Sequence, residues 1–419
     1  MAALPHLGAS DVATSRRVLV THPGAELYGS DRMVLESVQG LLEDGWTVTV
    51  ALPGEGPLTA LLAAAGADCR TVPTPVLRKS AATPRGLISL AASVLRTAPA
   101  AWRLLRAERP AAVYVSTLTT PLWLLLAKTA RVPVICHVHE AEGNARPLVR
   151  LVLTAPLLLA DRILVNSRYA LDVLLSSVPS LRTRSSVVLN GVRGPEASPV
   201  PRPRRSEESL QLVYVGRLSE RKGVFVALDA FERLVLSGQD VELTLVGDVF
   251  GEHVEVAEQL EQRLAAPAIA GRVHRSGFSI GIWDHLAAAD VVLVPSVLPE
   301  PFGNTAVEGV LAGRPVVASA LGGLPEAVAG VASAQLVEPG SASALADAVL
   351  AVSSDLDRFS QCAIRDAQDA VFRFSPQRYR RDIAGSVSDL TGIFHTDTAD
   401  HVSGAFGTAS VADLAEGRP

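Results

Sequence analysis

The chain has 419 residues, of which 48% are hydrophobic and 19% charged, and a formal net charge of -5. That length accommodates two domains with full cores, and the slight negative charge argues against a dedicated nucleic-acid binder. Cys69, Cys136 and Cys362 lie far apart and show no metal or disulfide spacing, which fits a reducing compartment.

Residues 1–14 read as a flexible N-terminus without the basic-then-hydrophobic order of a secretion signal. Arg17–Thr21 reads as a strand, His22–Asp31 as a loop and Asp31–Glu43 as a helix, followed by the strand Thr47–Leu52. This is the opening of a βαβ unit. Gly24 and Gly29 offer backbone amides ahead of that helix, or simply permit turns, while Glu26 and Asp31 are acidic candidates for touching an acceptor. GxGxxG is absent, so the support for a dinucleotide site is weak.

Between residues 78 and 109, Arg78, Lys79, Arg85, Arg96, Arg103, Arg106 and Arg109 stand against Glu108 alone in an otherwise apolar stretch. Such a segment suits an anionic lipid or a phosphorylated lipid-linked glycan, and equally the wet face of ordinary helices. Leu151–Ala160 is apolar but too short to span a bilayer.

Ala111–Val115, Val134–Val138 and Ile163–Val165 are short apolar runs of the kind that fill a parallel sheet covered on both faces. His137 and His139 share one face at the end of the second run, and Glu140 points the other way. No third ligand is identifiable and HExxH is missing, so no metal is expected. A histidine at a strand's carboxyl end is a candidate site residue, with His139 ahead of His137, against the alternative of a satisfied structural histidine. Asn166 and Ser167 read as caps for the next helix.

Residues 193–209, with Pro195, Pro199, Pro201 and Pro203, read as a linker between an N-terminal domain at 15–192 and a C-terminal domain at 210–373. The second domain repeats the opening of the first: strand Leu212–Val215, loop Gly216–Gly223, a helix to Leu236 and the strand Glu242–Val246. Gly216 lets the backbone turn closely against a ligand, and Arg217 and Lys222 together suit a diphosphate; the alternative is a basic turn neutralised by Glu220. The Walker order is absent.

Val291–Val294 reads as a buried strand stopped by Pro295, Pro299 and Pro301, with Asn304 as the N-cap of a helix running to Leu311. Glu308 then sits on the same helix face as Asn304, and Glu300 lies in the loop ahead. Both carboxylates can accept hydrogen bonds from sugar hydroxyls, and the first helix amides favour a phosphate; both can also be solvated acids. Gly322 and Gly323, after a strand read at Pro315–Ala318, form a turn near the same place. Ser375 and Pro376 open a helix, residues 374–394, expected to cross back to the first domain, and residues 395–419 read as a disordered tail. Trp46, Trp102, Trp123 and Trp283 form no stacking series for nucleic acid.

In combination, VGRLSERKG at 215–223, EPFGNTAVEGVLAGRPVVAS at 300–319, GG at 322–323 and HVHE at 137–140 resemble the retaining GT-B glycosyltransferases of family 4, the glycosyl transferases group 1; PGAELYGSD and LVNSRYA match more weakly. The resemblance implies an α/β GT-B fold, two Rossmann-like parallel-sheet domains facing a cleft. It also implies sugar transfer from a nucleoside-diphosphate sugar, with retention and without a metal, to a glycan, lipid-linked or small-molecule acceptor. Carried over by position, Arg217 and Lys222 would grip the diphosphate and Glu308 the ribose; Glu300, with backbone groups of Phe302, Gly303, Asn304 and Thr305, would orient the sugar. His139 would stand at the reaction centre, and Gly24 or Gly29 would approach from the first domain. No further cofactor and no nucleic acid are implied, the expected location is cytoplasmic, at or near the inner face of the cell membrane, and contact with an anionic membrane is an open possibility. A GT-B-like epimerase or phosphorylase, or a noncatalytic nucleotide-sugar binder, is the alternative.

Overall fold

The computed structural model describes residues 16–27, 29–77, 83–203, 208–249, 254–279 and 281–394. The expected N-terminal arm 1–14 and tail 395–419, together with Arg78 and Lys79, lie outside the described residues.

The first domain holds a seven-stranded parallel sheet: β1 Arg17–Thr21, β2 Thr47–Leu52, β3 Asp68–Thr71, β4 Ala112–Val115, β5 Val134–Val138, β6 Arg162–Val165 and β7 Ser185–Val187, in the order β3-β2-β1-β4-β5-β6-β7. The central strands β1, β4 and β5 are almost entirely buried, which their largely apolar runs require. The order reverses between β1 and β4. Right-handed crossovers therefore put helices Gly29–Glu43 and Pro57–Ala64 on one face and Pro84–Glu108, Pro121–Ala130, Pro147–Thr154 and Arg168–Ser177 on the other. Two apolar layers result, one around Val20, Val34 and Leu41, the other around Leu19, Trp123 and Leu157.

The second domain repeats the plan with six parallel strands: β8 Leu210–Val215, β9 Val241–Val246, β10 Val273–Gly277, β11 Val291–Val294, β12 Val316–Ser319 and β13 Ala334–Val337, ordered β10-β9-β8-β11-β12-β13. Its order reverses between β8 and β11. In open parallel sheets the ligand crevice forms at such a reversal, outside the carboxyl ends of the strands. Two reversals facing each other define the cleft.

Two expectations about helix starts need correction. The first helix begins at Gly29, so Asp31 lies within its first turn rather than at its edge. The Asn304–Leu311 helix is entered through Gly303, whose φ of 111° is the left-handed conformation that favours glycine, so Asn304 is the first helical residue and not the cap.

The domains are joined in more than one place. Val192 N donates to Phe374 O at 2.8 Å, tying the segment that leaves the first domain to the start of the helix that returns to it. That helix, Pro376–Thr391, is capped by the Ser375 side chain accepting from Arg378 N at 3.0 Å. It lies on the Gly29–Glu43 helix, where Arg380 Nε donates to Glu36 Oε2 at 2.6 Å. The close approach depends on Gly40, since a Cβ there would fall 2.7 Å from the Arg380 backbone. The connecting segment is pinned as well: buried Arg314 donates to Val200 O at 2.9 Å and Arg202 to Asp290 Oδ1 at 3.2 Å.

Candidate active site

At the first reversal, His22 follows β1 and Ser116 follows β4. His22 Nδ1 lies 2.5 Å from Ser116 Oγ, and His22 Nε2 lies 2.6 Å from Asp31 Oδ1. Ser116 Oγ also donates to Thr21 O at 3.0 Å. All three side chains are buried, and the dyad stands beneath Gly24, where a Cβ would be 3.5 Å from Asp31 Oδ1. Asp31 is thus committed to His22 in this state, not offered to an acceptor. Glu26 is exposed.

His139 follows β5 and is buried, with Nε2 making no hydrogen bond among the described residues. Burial, then the neighbouring His22, lowers its pKa to about 3, although Asp31 pulls the other way. The ring is therefore neutral across the physiological range. His137, one pleat back, is fully buried and packs its ring 4.1 Å from that of His139. Its Nδ1 lies 2.6 Å from the Tyr114 hydroxyl, which makes it a structural member of the core with Nε2 left over. Glu140 turns aside and accepts from Thr117 Oγ1.

At the second reversal, Gly216 follows β8 with φ 143° and packs against Gly247, where a Cβ would fall 2.0 Å from Gly216 O. Tyr214 Oη donates to Arg217 O at 2.8 Å, fixing the turn that presents the exposed Arg217 side chain. Lys222 Nζ donates to both carboxylate oxygens of Glu300, at 2.6 and 2.7 Å. The neutralising partner of Lys222 is accordingly Glu300, 78 residues on, rather than Glu220. Glu300 also accepts from Ser296 Oγ. Burial pushes its carboxyl up, but the charge of Lys222 and the hydrogen bonds from Lys222 and Ser296 outweigh this and hold it below the usual range.

The Glu300 loop is held from behind by the two glycines at 322–323. Gly323 N donates to Glu300 O at 2.7 Å, and a Cβ on Gly322 would meet Glu300 O at 2.5 Å. Phe302 is a core residue, its ring 5.9 Å from that of Phe374, so only its backbone can serve a ligand. Thr305 is half-buried in the first helical turn. Glu308, one turn further, is half-buried; burial raises its carboxyl, while Arg32 and Lys222 pull it back. Arg32 belongs to the first domain, so the two walls of the cleft meet electrostatically at Glu308.

Direct contacts close the same gap. Asn190 Nδ2 donates to Asn304 Oδ1 at 2.9 Å, Arg168 N donates to Glu326 Oε2 at 2.7 Å, and Ser167 Oγ donates to Pro301 O. A Cβ on Gly29 would lie 3.5 Å from Asn304 Nδ2, placing that glycine on the facing wall. Ser167 also caps its own helix through Ala170 N at 2.9 Å. The geometry therefore gathers Arg217, Lys222, Glu300, Gly303, Asn304 and Glu308 on one wall, with Gly29 and Arg32 opposite. His22, Ser116, Asn190 and Arg32 carried no recognisable sequence signal; only the position of His22 and Ser116 after apolar strands marks them. No group of three or more His, Cys, Asp and Glu side chains arranged for a metal occurs among the described residues.

Chemically, this wall offers an arginine and a helix N-terminus for phosphate oxygens, and a lysine with one N–H beyond the two given to Glu300. Two carboxylates flank it for hydroxyls. Comparisons with known proteins bear on the family and the fold. Residues 28–193 match the family model described as Glycosyltransferase Family 4, and residues 209–355 the model described as Glycosyl transferases group 1. A lipopolysaccharide 1,2-N-acetylglucosaminetransferase of Salmonella typhimurium is 32% identical over 158 residues, 36% of this chain and 42% of that protein. A D-inositol 3-phosphate glycosyltransferase of Catenulispora acidiphila is 27% identical over 80% of this chain and 85% of its own length. Several curated relatives, the Salmonella enzyme among them, are matched over only about two-fifths of their length. HepE of Anabaena, solved in complex with UDP and glucose, superposes with a TM-score of 0.72 at 21% identity, covering 88% of this chain and 99% of that one.

Proposed function

The chain belongs to the GT-B glycosyltransferases of family 4, group 1, and from that premise we propose that it transfers a sugar from a nucleoside-diphosphate sugar to a hydroxyl acceptor with retention of the anomeric configuration. The observation that carries this reading is the Lys222–Glu300 pair at the mouth of β8 and β11, beside Arg217 and the Asn304–Leu311 helix.

Arg217, the third N–H of Lys222 and the helix amides stabilise the diphosphate as it leaves. Glu308 accepts from the ribose hydroxyls. Glu300, fixed on three sides, accepts from the donor sugar. In a front-face substitution the bond from C1 to the diphosphate oxygen breaks, the acceptor oxygen bonds to C1 on the same face, and the acceptor proton passes to the departing phosphate oxygen. Neutral His139 stands at the reacting sugar, where an imidazole can exchange hydrogen bonds without adding charge. Protein groups neutralise the diphosphate in this reading, so transfer needs no divalent metal. We place the reaction in the cytoplasm, with a glycan, lipid-linked or small-molecule acceptor.

The test is direct. Thermal unfolding with UDP-, GDP-, ADP- and TDP-sugars identifies the donor, because a ligand that binds the native state raises apparent stability. Transfer to an acceptor panel in the presence of a chelator then follows by mass analysis, with the anomer assigned by NMR. Donor interconversion without acceptor would identify an epimerase, phosphate-dependent sugar release a phosphorylase, and binding without turnover a noncatalytic protein. An inverted product anomer would sink the front-face mechanism.

A further inference from the structure

The helix Pro84–Glu108 carries an apolar stripe, exposed at Ile88 and Leu95 and packed against the first-domain core at Trp102, beside a basic one. Ile88, Leu95 and Trp102 recur every seven residues, so they lie along one side; Ile88 and Leu95 are 69% and 76% exposed. Arg96 and Arg103 each follow a member of that stripe by one position, and Arg85 lies on the same side as them. The guanidinium of Arg106 sits over the Trp102 ring at 5.8 Å. Among the described residues no acidic side chain pairs with Arg85, Arg96 or Arg103; Arg96 and Arg103 bond only to carbonyls one turn back, Ala92 O at 3.3 Å and Pro99 O at 3.2 Å. The single acid of the helix, Glu108, is turned inward to Arg17 at 2.5 Å and Thr49 at 3.0 Å. In a chain of net charge -5, this face is locally basic and apolar.

Neighbouring elements of that layer carry further exposed apolar side chains. The Pro84–Glu108 helix packs on Pro121–Ala130, which packs on the turn at Ala155–Leu159, and that turn packs on Pro147–Thr154. There Leu148 is 66% exposed, beside exposed Arg146, and Leu151 and Leu158 are exposed as well. In right-handed βαβ units both helices start at the carboxyl end of the sheet, on the rim of the cleft. A hydrogen bond from Leu77 N to Thr119 O, at 2.6 Å, ties the approach to the first of them to the loop after β4.

We infer that this face is a docking surface for an anionic lipid bilayer. Exposed leucines and isoleucine enter the acyl boundary while the arginines meet lipid phosphates, which is the division an interfacial helix requires. The docking is peripheral, since no described helix is long and apolar enough to cross a membrane. Charge complementarity selects the bilayer over a second copy: a symmetric dimer through this face would set arginines against arginines. Docking brings the cleft rim to the bilayer surface, so the acceptor class is a hydroxyl on a membrane-held headgroup; that consequence rests on the transferase reading, while the surface stands on its own geometry.

The full chain is sedimented with phosphatidylglycerol-containing or pure phosphatidylcholine vesicles at low and high salt. Binding to the anionic vesicles, weakened by salt, is expected. Arg96→Glu with Arg103→Glu should weaken it on the order of tenfold or more, and Leu95→Ser with Ile88→Ser should weaken it at both salt concentrations. Each variant is checked for wild-type thermal stability and for stabilisation by the nucleotide sugar. No sedimentation with anionic vesicles at low salt, unchanged binding in both folded variants, or a dimer that the Leu95 variant dissolves without any vesicle binding would overturn the inference. Donor binding without vesicle binding defeats the surface alone, whereas vesicle binding without donor binding defeats the transferase reading alone.

Discussion

Lys222 holds both oxygens of Glu300, at 2.6 and 2.7 Å, across 78 residues of chain. Glu300 is buried and Lys222 half-buried, so removing one partner strands a charge, whereas removing both strands none. Lys222→Met should destabilise the protein by about 3 kcal/mol, and Lys222→Met with Glu300→Gln by less. Urea unfolding of the two single variants and the double variant checks this; additive losses would show that the pair does not act as a unit. The pH dependence has a definite sign. Because the Glu300 carboxyl is held low, its stabilisation is complete above the unfolded carboxylate value, ~4.3, and is lost as pH falls through the lower folded value. In Lys222→Met the burial of Glu300 is no longer offset by the lysine, so its carboxyl rises and this acid-side loss of stability should shrink or reverse.

Glu308 behaves in the opposite sense. Burial raises its carboxyl despite Arg32 and Lys222, so its ionised form opposes folding, and stability declines as pH rises through its folded value. Glu308→Gln should raise the melting temperature at neutral pH while reducing donor affinity roughly tenfold or more, the effect of losing charged hydrogen bonds to a ribose. Calorimetric melting and donor titration measure the two effects separately. A lower melting temperature with undiminished donor affinity would remove the assigned role.

His139 combines burial with a pKa of about 3, and His137 is likewise held well below its ordinary value by burial and by His139. Both fold as neutral rings. A histidine lowered on folding contributes fully above the unfolded value of ~6.5 and progressively less as pH falls toward the folded one. Acidification from about pH 6.5 should thus cost the wild type on the order of a few kcal/mol, and His139→Gln should flatten that slope. The same variant should reduce kcat by roughly 100-fold or more, and the wild-type rate profile should show no His139 limb at pH ~6.5. Melting temperature across pH and single-turnover rates test the pair of statements.

The doubly wound plan was legible because β1, β2, β4, β5, β8, β9, β11 and β12 consist largely of apolar runs between turn residues. The strands that escaped recognition, β3, β7, β10 and β13, are the four sheet edges. DCRT, SSV, VHRSG and AQLV are partly wet, and an edge strand need not be apolar on both faces. Glu300, Lys222 and Glu308 stood out through spacing and resemblance, but the coupling of Lys222 to Glu300 did not, because it spans the fold. His22 is buried against Asp31 and Ser116, and nothing in THPG shows which strand end it will meet. Asn304 was misplaced by one position because Gly303 takes the left-handed cap, a conformation glycine enters more readily than its neighbour.

Tyr379 connects the returning C-terminal helix to the floor of the cleft. Its hydroxyl lies 2.8 Å from Ser37 Oγ, Ser37 lies 3.1 Å from the Tyr114 hydroxyl, and Tyr114 lies 2.6 Å from His137 Nδ1. Tyr379 also stacks on His137 at 6.0 Å, and His137 packs on His139. The chain of contacts runs from the interdomain helix to the candidate reaction centre with every member buried, so the loss of one hydroxyl cannot be made good by bulk water. Tyr379→Phe keeps the ring and its stacking but leaves Ser37 and Met33 O each one partner short, which should cost about 1 kcal/mol. The informative readout lies elsewhere: slackened Tyr114 and His137 should let the His139 ring move, lowering kcat several-fold while leaving the donor KM close to wild type. NMR of the imidazole nitrogens should show changed His137 and His139 signals, and Ser37→Ala should reproduce them. Unchanged imidazole signals in a variant that had lost only stability would reduce Tyr379 to an ordinary packing residue.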